Sequence, residues 1–271
     1  MVMKGTGVIT LLTDFGMSDP YVGMMKGVIL SINPDARLID LSHQVEAGSI
    51  SQAASFIREA YHYFPEGTIH MAVVDPGVGT DRRLLGMELE KHFFVGPDNG
   101  IFWPIIEGCK PTEVRQLIEE KYFLPHVTST FHGRDIFAPI AAHLSLGKDL
   151  KQMGPRLNNP VKLSYPVPKV INDILYGQII RVDHFGNLIT NIYRDDLERF
   201  LKSVKPSIQA GNFTIKQLSY TYSDTEEGEP LALINSSDQL ELAVNLGRAS
   251  QYIKIASGEI IGTQVRVRRY D

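Results

Sequence analysis

The stretch VVDPGVGTDRR, residues 73–83, begins as a short apolar strand and ends as a Pro-Gly-x-Gly turn followed by two arginines. It places Asp75 where the strand stops and returns Arg82 toward that carboxylate within seven residues. Ligands of open α/β sheets bind beyond the carboxyl ends of the strands. The stretch therefore predicts both a strand of such a sheet and a candidate site at its end.

The chain on either side of this stretch alternates between strand and helix patterns. Helical spacing of apolar residues predicts helices within 22–32, 50–64 and 134–144. Apolar runs predict strands at 8–12, 36–43 and 69–75, and residues 84–106 are expected to add strands joined by turns. Strands that alternate with helices are typical of a parallel sheet, so residues 1–168 are predicted to form an α/β domain with a mainly parallel sheet.

The composition changes after this region. Residues 154–173 carry four prolines without sustained periodicity, which predicts a linker or a crossing arm and a domain boundary near residue 168. Short, mostly alternating runs then predict a small antiparallel β-barrel domain over residues 169–271. The predicted strands are 175–183, 187–192, 216–222, 230–237, 240–245 and 264–270.

Composition limits the function classes. The 271 residues carry a net charge of −4 and lack the basic excess that binding to nucleic acid requires. Cys109 is the single cysteine, so neither a disulfide framework nor a thiolate metal site is expected. No apolar run has the length of a membrane span, and the stretch MVMKGTG at residues 1–7 lacks the apolar core of a signal peptide, so we expect a cytoplasmic protein.

Two aspartates lie at predicted strand ends, Asp14 in LLTDFG and Asp75 in VVDPG. Each could cap a turn, but a carboxylate such as Asp14 can also accept hydrogen bonds from both hydroxyls of a ribose. For Asp19, capping of the helix that starts at residues 20–21 is the favoured interpretation. The Gly5-x-Gly7 pair precedes its strand, which disfavours a dinucleotide site.

The segment TSTFHGRDIFAP, residues 128–139, places His132 in a loop that opens a helix. A structural histidine is the more common case, and Asp135 could serve the helix N-terminus. An Asp, Arg and His that met in one cleft could, however, orient and deprotonate a water molecule. The other histidines considered, His43, His62 and His70, lack ligand spacing, so no metal site is expected.

In the second domain, VDHFGNLITNI at residues 182–192 reads either as a tight hairpin or as a site. As a site it offers Asp183 for an ammonium group, the aromatic face of Phe185 and the amide of Asn187 for a base edge. Ser236 and Ser237 lie at another predicted strand end and by themselves resemble ordinary turn residues.

Six segments together resemble one family over nearly the whole chain. They are TDFG with Asp19, FPEGTIHMAVVDPGVGTDRR, FVGPDNG, TFHGRDIFAP, DHFGNLITNI, and NSS with LELAVN. The sequence is similar to the adenosine-forming S-adenosyl-L-methionine (SAM) hydrolases, also called SAM hydroxide adenosyltransferases. The resemblance implies hydrolysis of SAM to adenosine and L-methionine by an activated water that attacks the ribose C5′, without a metal or another cofactor.

The resemblance also implies roles for individual residues. Asp75, Arg82 and His132 would be catalytic, and Asp14 would bind the ribose hydroxyls. The methionine end would contact Asp19, Asp183 and Ser236, with Ser237 adjacent, and the adenine would contact Asn187. A homotrimer with active sites at subunit interfaces is implied as well.

Other functions stay open at this point. Related fluorinating and chlorinating enzymes attack SAM with a halide, but the halogenating relatives carry tyrosine at the position of Asp75 and the fluorinating ones serine at that of Gly133. A non-catalytic SAM or adenosine sensor is a second alternative. A phosphosugar or nucleoside enzyme is a third, which the lack of a P-loop and of clustered metal carboxylates in the sequence disfavours.

Overall fold

The computed structural model describes residues 5–255 and 258–270. The chain divides between residues 164 and 165 into two compact units. Across the described residues, no helix has both the length and the apolar character needed to cross a bilayer.

The first unit is built around a six-stranded sheet of order β2-β1-β3-β5-β4-β6. The strands are β1 (Val8–Thr13), β2 (Arg37–Ser42), β3 (Ile69–Val73), β4 (Leu84–Leu89), β5 (His92–Pro97) and β6 (Glu113–Gln116). The helices are α1 (Tyr21–Ile32), α2 (Ile50–Ala60), α3 (Trp103–Gly108) and α4 (Ala138–Ser145). The pairs β2-β1, β1-β3 and β3-β5 are parallel and the other two antiparallel, which confirms the predicted α/β fold with a mainly parallel sheet.

Both faces of this sheet are covered by apolar residues. Leu11 faces a core shared with Met25 of α1 and Ile140 of α4, whereas Leu12 faces one shared with Ile57 of α2. Because both faces are covered, β1 and β3 are buried along their whole length and read as continuous apolar runs in the sequence.

The predicted helix over residues 134–144 is confirmed, but it begins differently. Gly133–Phe137 form a π-helical turn that continues into α4. Such turns occur frequently at functional sites, and this one begins directly after His132.

Part of the prediction for residues 84–106 is wrong, because Trp103–Ile106 begin α3 instead of a strand. Pro104 at the first helical turn explains the difference, since its fixed φ and missing N–H suit a helix start. The strand β6 was not predicted.

Within its described residues, the second unit contains eight strands and two short α-helices. The strands are β7 (Lys169–Ile171), β8 (Ile174–Val182), β9 (Leu188–Tyr193), β10 (Lys205–Ala210), β11 (Phe213–Ile215), β12 (Pro230–Ile234), β13 (Gln239–Val244) and β14 (Gln264–Tyr270). The helices are α5 (Arg194–Leu201) and α6 (Ala249–Tyr252). The order β11-β10-β14-β8-β9-β13-β12 is antiparallel at every pair.

This sheet curves into a nearly closed barrel, as predicted. Ser219, shortly after β11 at one edge, donates its N–H to the Ala232 carbonyl of β12 at the other edge, at 2.8 Å. Apolar residues of β8, β9, β13 and β14 fill the interior, among them Ile179, Ile192 and Val265.

Residues 216–222 were predicted as a strand, which is wrong. Asp224 accepts the backbone N–H groups of Tyr220 and Thr221 at 2.7 and 3.2 Å, so the segment turns here and pairs through a single bridge. The strands β10 and β11 precede this segment and were not predicted, nor were α5 and α6.

The predicted linker over residues 154–173 is partly regular. Its last residues form β7, which pairs with β8. Asn191 fixes the approach to β7, because its Nδ2 donates to the Pro166 carbonyl and its Oδ1 accepts the Gln178 N–H, both at 2.7 Å. Asn191 therefore has a structural role within the second unit.

Candidate active site

The carboxyl ends of β1 and β3 lie side by side in the first unit. These strands are parallel neighbours, with Thr13 opposite Val73, so Asp14 and Asp75 emerge at the same edge of the sheet. This edge is where open α/β sheets bind their ligands.

Asp75 is held by Arg82. The Arg82 Nε donates to Asp75 Oδ1 at 2.6 Å, and Arg82 Nη2 forms an ion pair with Asp75 Oδ2. Only 5% of the Asp75 side chain and 9% of the Arg82 side chain are exposed. A buried, two-point contact of this kind fixes the carboxylate plane as well as its charge.

The turn between these two residues packs tightly against the segment that carries His132. Val78 donates its N–H to the Asp75 carbonyl at 3.1 Å, which starts the turn. Gly79 has a φ of +79°, and a Cβ at this position would clash with the Ser129 carbonyl oxygen. Glycine is therefore required here, because both its backbone conformation and its close approach exclude a side chain.

His132 completes a three-residue cluster, which we call the Asp75–Arg82–His132 cluster. Arg82 Nη2 donates to His132 Nδ1 at 2.9 Å. Burial, together with the Arg82 charge, holds the pKa of His132 below its usual range. The structure thus brings the three residues predicted as catalytic into direct contact.

One donor of the cluster has no acceptor within the described part of the chain. Arg82 Nη1 is buried and meets no hydrogen-bond partner there. A buried guanidinium N–H without an acceptor is costly, so this atom marks a position where an oxygen atom would be stabilised.

Arg83, the second arginine of the stretch, has a structural role. It binds the buried Asp98 through Nε at 2.7 Å and the Asn159 side chain through Nη1 at 3.0 Å. Asn99, which follows Asp98 in the chain, donates from Nδ2 to the Val74 carbonyl at 2.8 Å. It thereby fixes the end of β3 directly before Asp75. Sequence reasoning missed Asn99, although the motif FVGPDNG contains it.

Aromatic packing connects the segments that carry Asp14 and His132. The Phe15 and Phe131 rings meet edge to face at 5.7 Å, and these residues adjoin Asp14 and His132 in the chain. Asp14 is half-buried and accepts the Gly48 N–H through Oδ2 at 2.8 Å. One carboxylate oxygen is thereby oriented by the backbone.

The favoured interpretation of Asp19 as a helix cap is wrong. The N-cap position of α1 is Pro20, and no side chain caps this helix. Asp19 is exposed and lies 3.5 Å from the Ser18 hydroxyl. Its carboxylate is accessible to a ligand.

Asp135 has a structural role, but not as a cap for the helix after His132. Its Oδ2 accepts both the N–H and the hydroxyl of Thr128, at 2.8 and 2.6 Å, and its Oδ1 accepts Arg134 Nε at 2.6 Å. These bonds fix the loop that leads to His132.

In the second unit, Asp183 and Asn187 form a tight turn between β8 and β9. Asp183 accepts the Asn187 N–H at 2.8 Å and its side-chain Nδ2 at 3.2 Å, and Gly186 has a φ of +88°. The Phe185 side chain at the tip is 70% exposed. The turn thus presents a carboxylate and an unpacked aromatic ring together.

Ser236 and Ser237 are not beside this turn. They lie in the β12–β13 turn, which meets the far end of β9, where Arg194 donates its N–H to the Asp238 carbonyl at 2.7 Å. Between the two ends, the buried Glu241 accepts the Tyr222 hydroxyl at 2.8 Å. Burial raises the pKa of Glu241, and the nearby Asp183 raises it further. Sequence reasoning missed Glu241, because LELAVN reads as an ordinary strand.

Over residues 5–255 and 258–270, no three His, Cys, Asp or Glu side chains converge as a metal site would require.

Known proteins resemble the chain in sequence and in structure. The family models for the N-terminal and C-terminal domains of the SAM hydroxide adenosyltransferases match residues 9–154 and 177–262. An (R)-S-adenosyl-L-methionine hydrolase from Salinispora tropica is 34% identical, with 95% of this chain and 97% of the relative covered. A fluorinase from Actinoplanes sp. is 28% identical, with 90% and 93% covered.

Among solved structures, a conserved protein from Thermotoga maritima superposes with a TM-score of 0.88 at 36% identity, covering 96% of this chain and all of that chain. An α/β unit followed by a small antiparallel barrel is the architecture of the class of proteins with the fluorinase-like fold. Within this class, the chain belongs to the SAM hydroxide adenosyltransferase family.

Proposed function

We propose that the protein hydrolyses (R)-S-adenosyl-L-methionine to adenosine and L-methionine by attack of a water molecule on the ribose C5′. The observation that carries this function is the buried Asp75–Arg82–His132 cluster at the carboxyl end of β3. The similarity to SAM hydrolases is greater than the similarity to fluorinases, which favours water over halide as the nucleophile.

The nucleophile is the demanding part of this reaction. The sulfonium leaves as a neutral thioether and needs no proton, whereas water at neutral pH is a weak nucleophile. In our proposal Asp75 accepts a hydrogen bond from the attacking water, and the unpartnered Arg82 Nη1 stabilises the developing hydroxide charge. Fixed donors of this kind need no reorganisation as the charge develops.

His132 keeps this arrangement in place. A guanidinium can only donate, so His132 Nδ1 must accept from Arg82, and the neutral ring carries its proton on Nε2. The lowered pKa of His132 supports the neutral form. His132 thereby orients Arg82 and can donate from Nε2 toward the reacting oxygen.

The overall charge balance favours a dry site. Water and the sulfonium give adenosine, methionine and one proton, so the site must pass one proton to solvent per turnover. Attack of a hydroxide-like oxygen on a sulfonium neutralises opposite charges and is favoured when bulk water is excluded. The small exposure of the Asp75 and Arg82 side chains suits this requirement.

We further propose that the substrate contacts follow the family pattern. Asp14 would hold the ribose hydroxyls and Asn187 the adenine, with Phe185 offering an aromatic face. Asp19 and Asp183 would contact the methionine end. The family pattern adds Ser236 to that end, with Ser237 adjacent, although these serines lie at the opposite end of β9 from Asp183. The accessible carboxylate of Asp19 and the exposed ring of Phe185 support this assignment.

A homotrimer with active sites at subunit interfaces is part of the proposal. It is supported by α1, which buries Val22, Met25 and Ile29 yet is also apolar or small on its exposed side, at Tyr21, Gly23, Met24, Gly27 and Leu30. The helix α1 also carries Lys26 and Ser31, but an outer side with this much apolar surface is usually covered by another element. Light scattering should give three times the chain mass, and Met24→Glu should reduce that mass.

Incubation of SAM with the pure protein, with and without chloride, tests the function. We expect adenosine and methionine in equal amounts under both conditions. Activity that is unchanged after treatment of the enzyme with EDTA would support metal independence. A chlorinated nucleoside would establish the halide alternative, and intact SAM bound for hours would establish the sensor.

We also propose a cytoplasmic location, in keeping with the single cysteine.

A further inference from the structure

We propose that His43 is a positioning residue that holds the turn carrying Asp14 in the conformation that binds ribose hydroxyls. The inference rests on the proposed function, in which Asp14 takes this role. His43 follows β2, is buried, and does not touch the Asp75–Arg82–His132 cluster in any recorded hydrogen bond or ion pair of the described residues. The sequence gives His43 no metal-ligand spacing, and in the structure its ring contacts Thr13 and Asp40.

The His43 ring connects the surface to the Asp14 turn. His43 Nε2 lies 3.0 Å from Asp40 Oδ1, and Asp40 Oδ2 accepts Lys26 Nζ at 2.7 Å. On the other side, His43 Nδ1 lies 2.8 Å from the Thr13 hydroxyl. The chain of contacts therefore runs from α1 through β2 to the last residue of β1.

Hydrogen directions in this chain are consistent from end to end. In the tautomer with its ring proton on Nε2, His43 turns a donor toward the Asp40 carboxylate and leaves Nδ1 to accept from the Thr13 hydroxyl. The same hydroxyl oxygen accepts the Phe15 N–H at 3.3 Å. A protonated or absent ring would leave the buried Thr13 hydroxyl without this acceptor.

The His43 backbone supports the same turn. Its carbonyl accepts the Gly16 N–H at 2.7 Å, and Gly16 has a φ of +68°. Asp14 thus lies between Thr13, whose hydroxyl contacts the His43 ring, and Phe15, whose N–H donates to that hydroxyl. The His43 carbonyl holds Gly16, two residues after Asp14. The Asp14 side chain itself is fixed only by the Gly48 N–H in the recorded hydrogen bonds of the described residues.

The resemblance of Asp40, His43 and Thr13 to a nucleophilic triad does not indicate catalysis. The Thr13 side chain is fully buried within β1, where no substrate atom could reach its hydroxyl. The same contacts suit a support for the turn, because each of the three side chains lies between two polar neighbours.

Binding of two nucleosides tests the inference independently of hydrolysis. Dissociation constants for adenosine and for 2′,3′-dideoxyadenosine, which lacks the hydroxyls, would be measured by calorimetry on the wild type and on His43→Ala. We expect the wild type to prefer adenosine by about tenfold or more, and His43→Ala to lose most of this preference while its affinity for dideoxyadenosine is retained. His62→Ala, at an exposed histidine, is the matched control and should keep the wild-type preference.

Thr13→Val provides a second variant should His43→Ala fail to fold. It keeps the shape of the buried residue and removes only the hydroxyl that joins His43 to Phe15, so the adenosine preference should fall in the same way. A wild-type preference in a folded His43→Ala or Thr13→Val protein would overturn the inference. So would a wild-type protein that binds both nucleosides equally.

The catalytic assay adds a distinguishing readout. If Asp14 contributes equally to ground-state and transition-state binding, His43→Ala should raise KM by about tenfold with kcat changed by less than about threefold. The combined Asp14→Asn and His43→Ala protein should be no weaker for adenosine than Asp14→Asn alone, since both act on one contact. A protein that binds adenosine selectively but leaves SAM intact would disprove the hydrolase function and leave the role of His43 standing.

Discussion

Arg82 donates from Nη2 to Nδ1 of His132 at 2.9 Å, across a separation of 50 residues in the chain. The same guanidinium holds the Asp75 carboxylate through Nε and Nη2. Arg82 therefore fixes both the Asp75 carboxylate and the His132 ring. Its remaining buried nitrogen, Nη1, marks the position where a reacting oxygen can be stabilised. The following predictions test that arrangement.

Asp75→Ala should lower kcat by about a hundredfold or more while SAM binding changes little, because the carboxylate acts on the water and not on the substrate. Adenosine formation by chromatography and SAM affinity by calorimetry measure the two effects. Asp81→Ala, which removes an exposed aspartate of the same turn, is the matched control for the loss of a carboxylate. Unchanged adenosine production by Asp75→Ala would disprove the mechanism.

Arg82→Lys should also lower kcat by about a hundredfold, although it preserves the charge. A lysine ammonium cannot hold the Asp75 carboxylate at two points, reach His132 and still present a free planar N–H. The rate in single-turnover experiments measures this loss. Activity within about threefold of the wild type would mean that charge alone, without the guanidinium geometry, suffices.

The pH dependence should reflect the lowered pKa of His132. Above that pKa the ring is neutral and accepts from Arg82, and below it the protonated ring repels Arg82. We therefore expect kcat/KM to be maintained down to pH values below 6.5 and to fall on further acidification. His132→Asn, whose amide oxygen can accept from Arg82, should move or remove this fall, and a fall centred above pH 6.5 in the wild type would contradict the assignment.

Local patterns in the sequence predict the α/β unit, the barrel and the return of Arg82 toward Asp75, whereas the full set of Asp75, Arg82 and His132 is implied by the family resemblance. Periodicity identifies β1 and β3, and the short Pro-Gly-x-Gly turn keeps Arg82 near Asp75. His132 and His43 differ in this respect. Their partners are 50 and 30 residues away, so only the tertiary structure reveals which histidine supports which carboxylate.

The errors in the sequence interpretation have physical causes as well. Residues 216–222 alternate like a strand, but Asp224 captures their backbone N–H groups and turns the chain. The capping role expected for Asp19 fails because the chain enters α1 through Pro20 without any side-chain cap. Side-chain competition for backbone groups cannot be read from periodicity.

The buried His70 should make the stability of the fold fall in acid. His70 bonds to Thr10 at 2.9 Å and to His92 at 3.2 Å, and burial lowers the pKa of His70 to about 3. The unfolded chain takes up a proton near pH 6.5 that the folded chain excludes, so stability is complete above pH 6.5 and is lost as the pH falls toward 3. The contribution of His70 to this loss is about 1.4 kcal/mol per pH unit at most.

Urea unfolding of the wild type and of His70→Gln at pH 7 and pH 5 measures this effect. The wild type should lose more stability than the variant between the two values, since glutamine does not titrate. Equal losses in the two proteins would show that His70 does not govern the acid response.

The most direct test of the central claim is the fate of water oxygen. SAM incubated with the pure protein in oxygen-18 water should give adenosine that carries the label at its 5′ oxygen, with an equal amount of methionine. That result is required if a water activated by Asp75 and Arg82 attacks C5′. Unlabelled adenosine, or a halogenated nucleoside in its place, would contradict the mechanism.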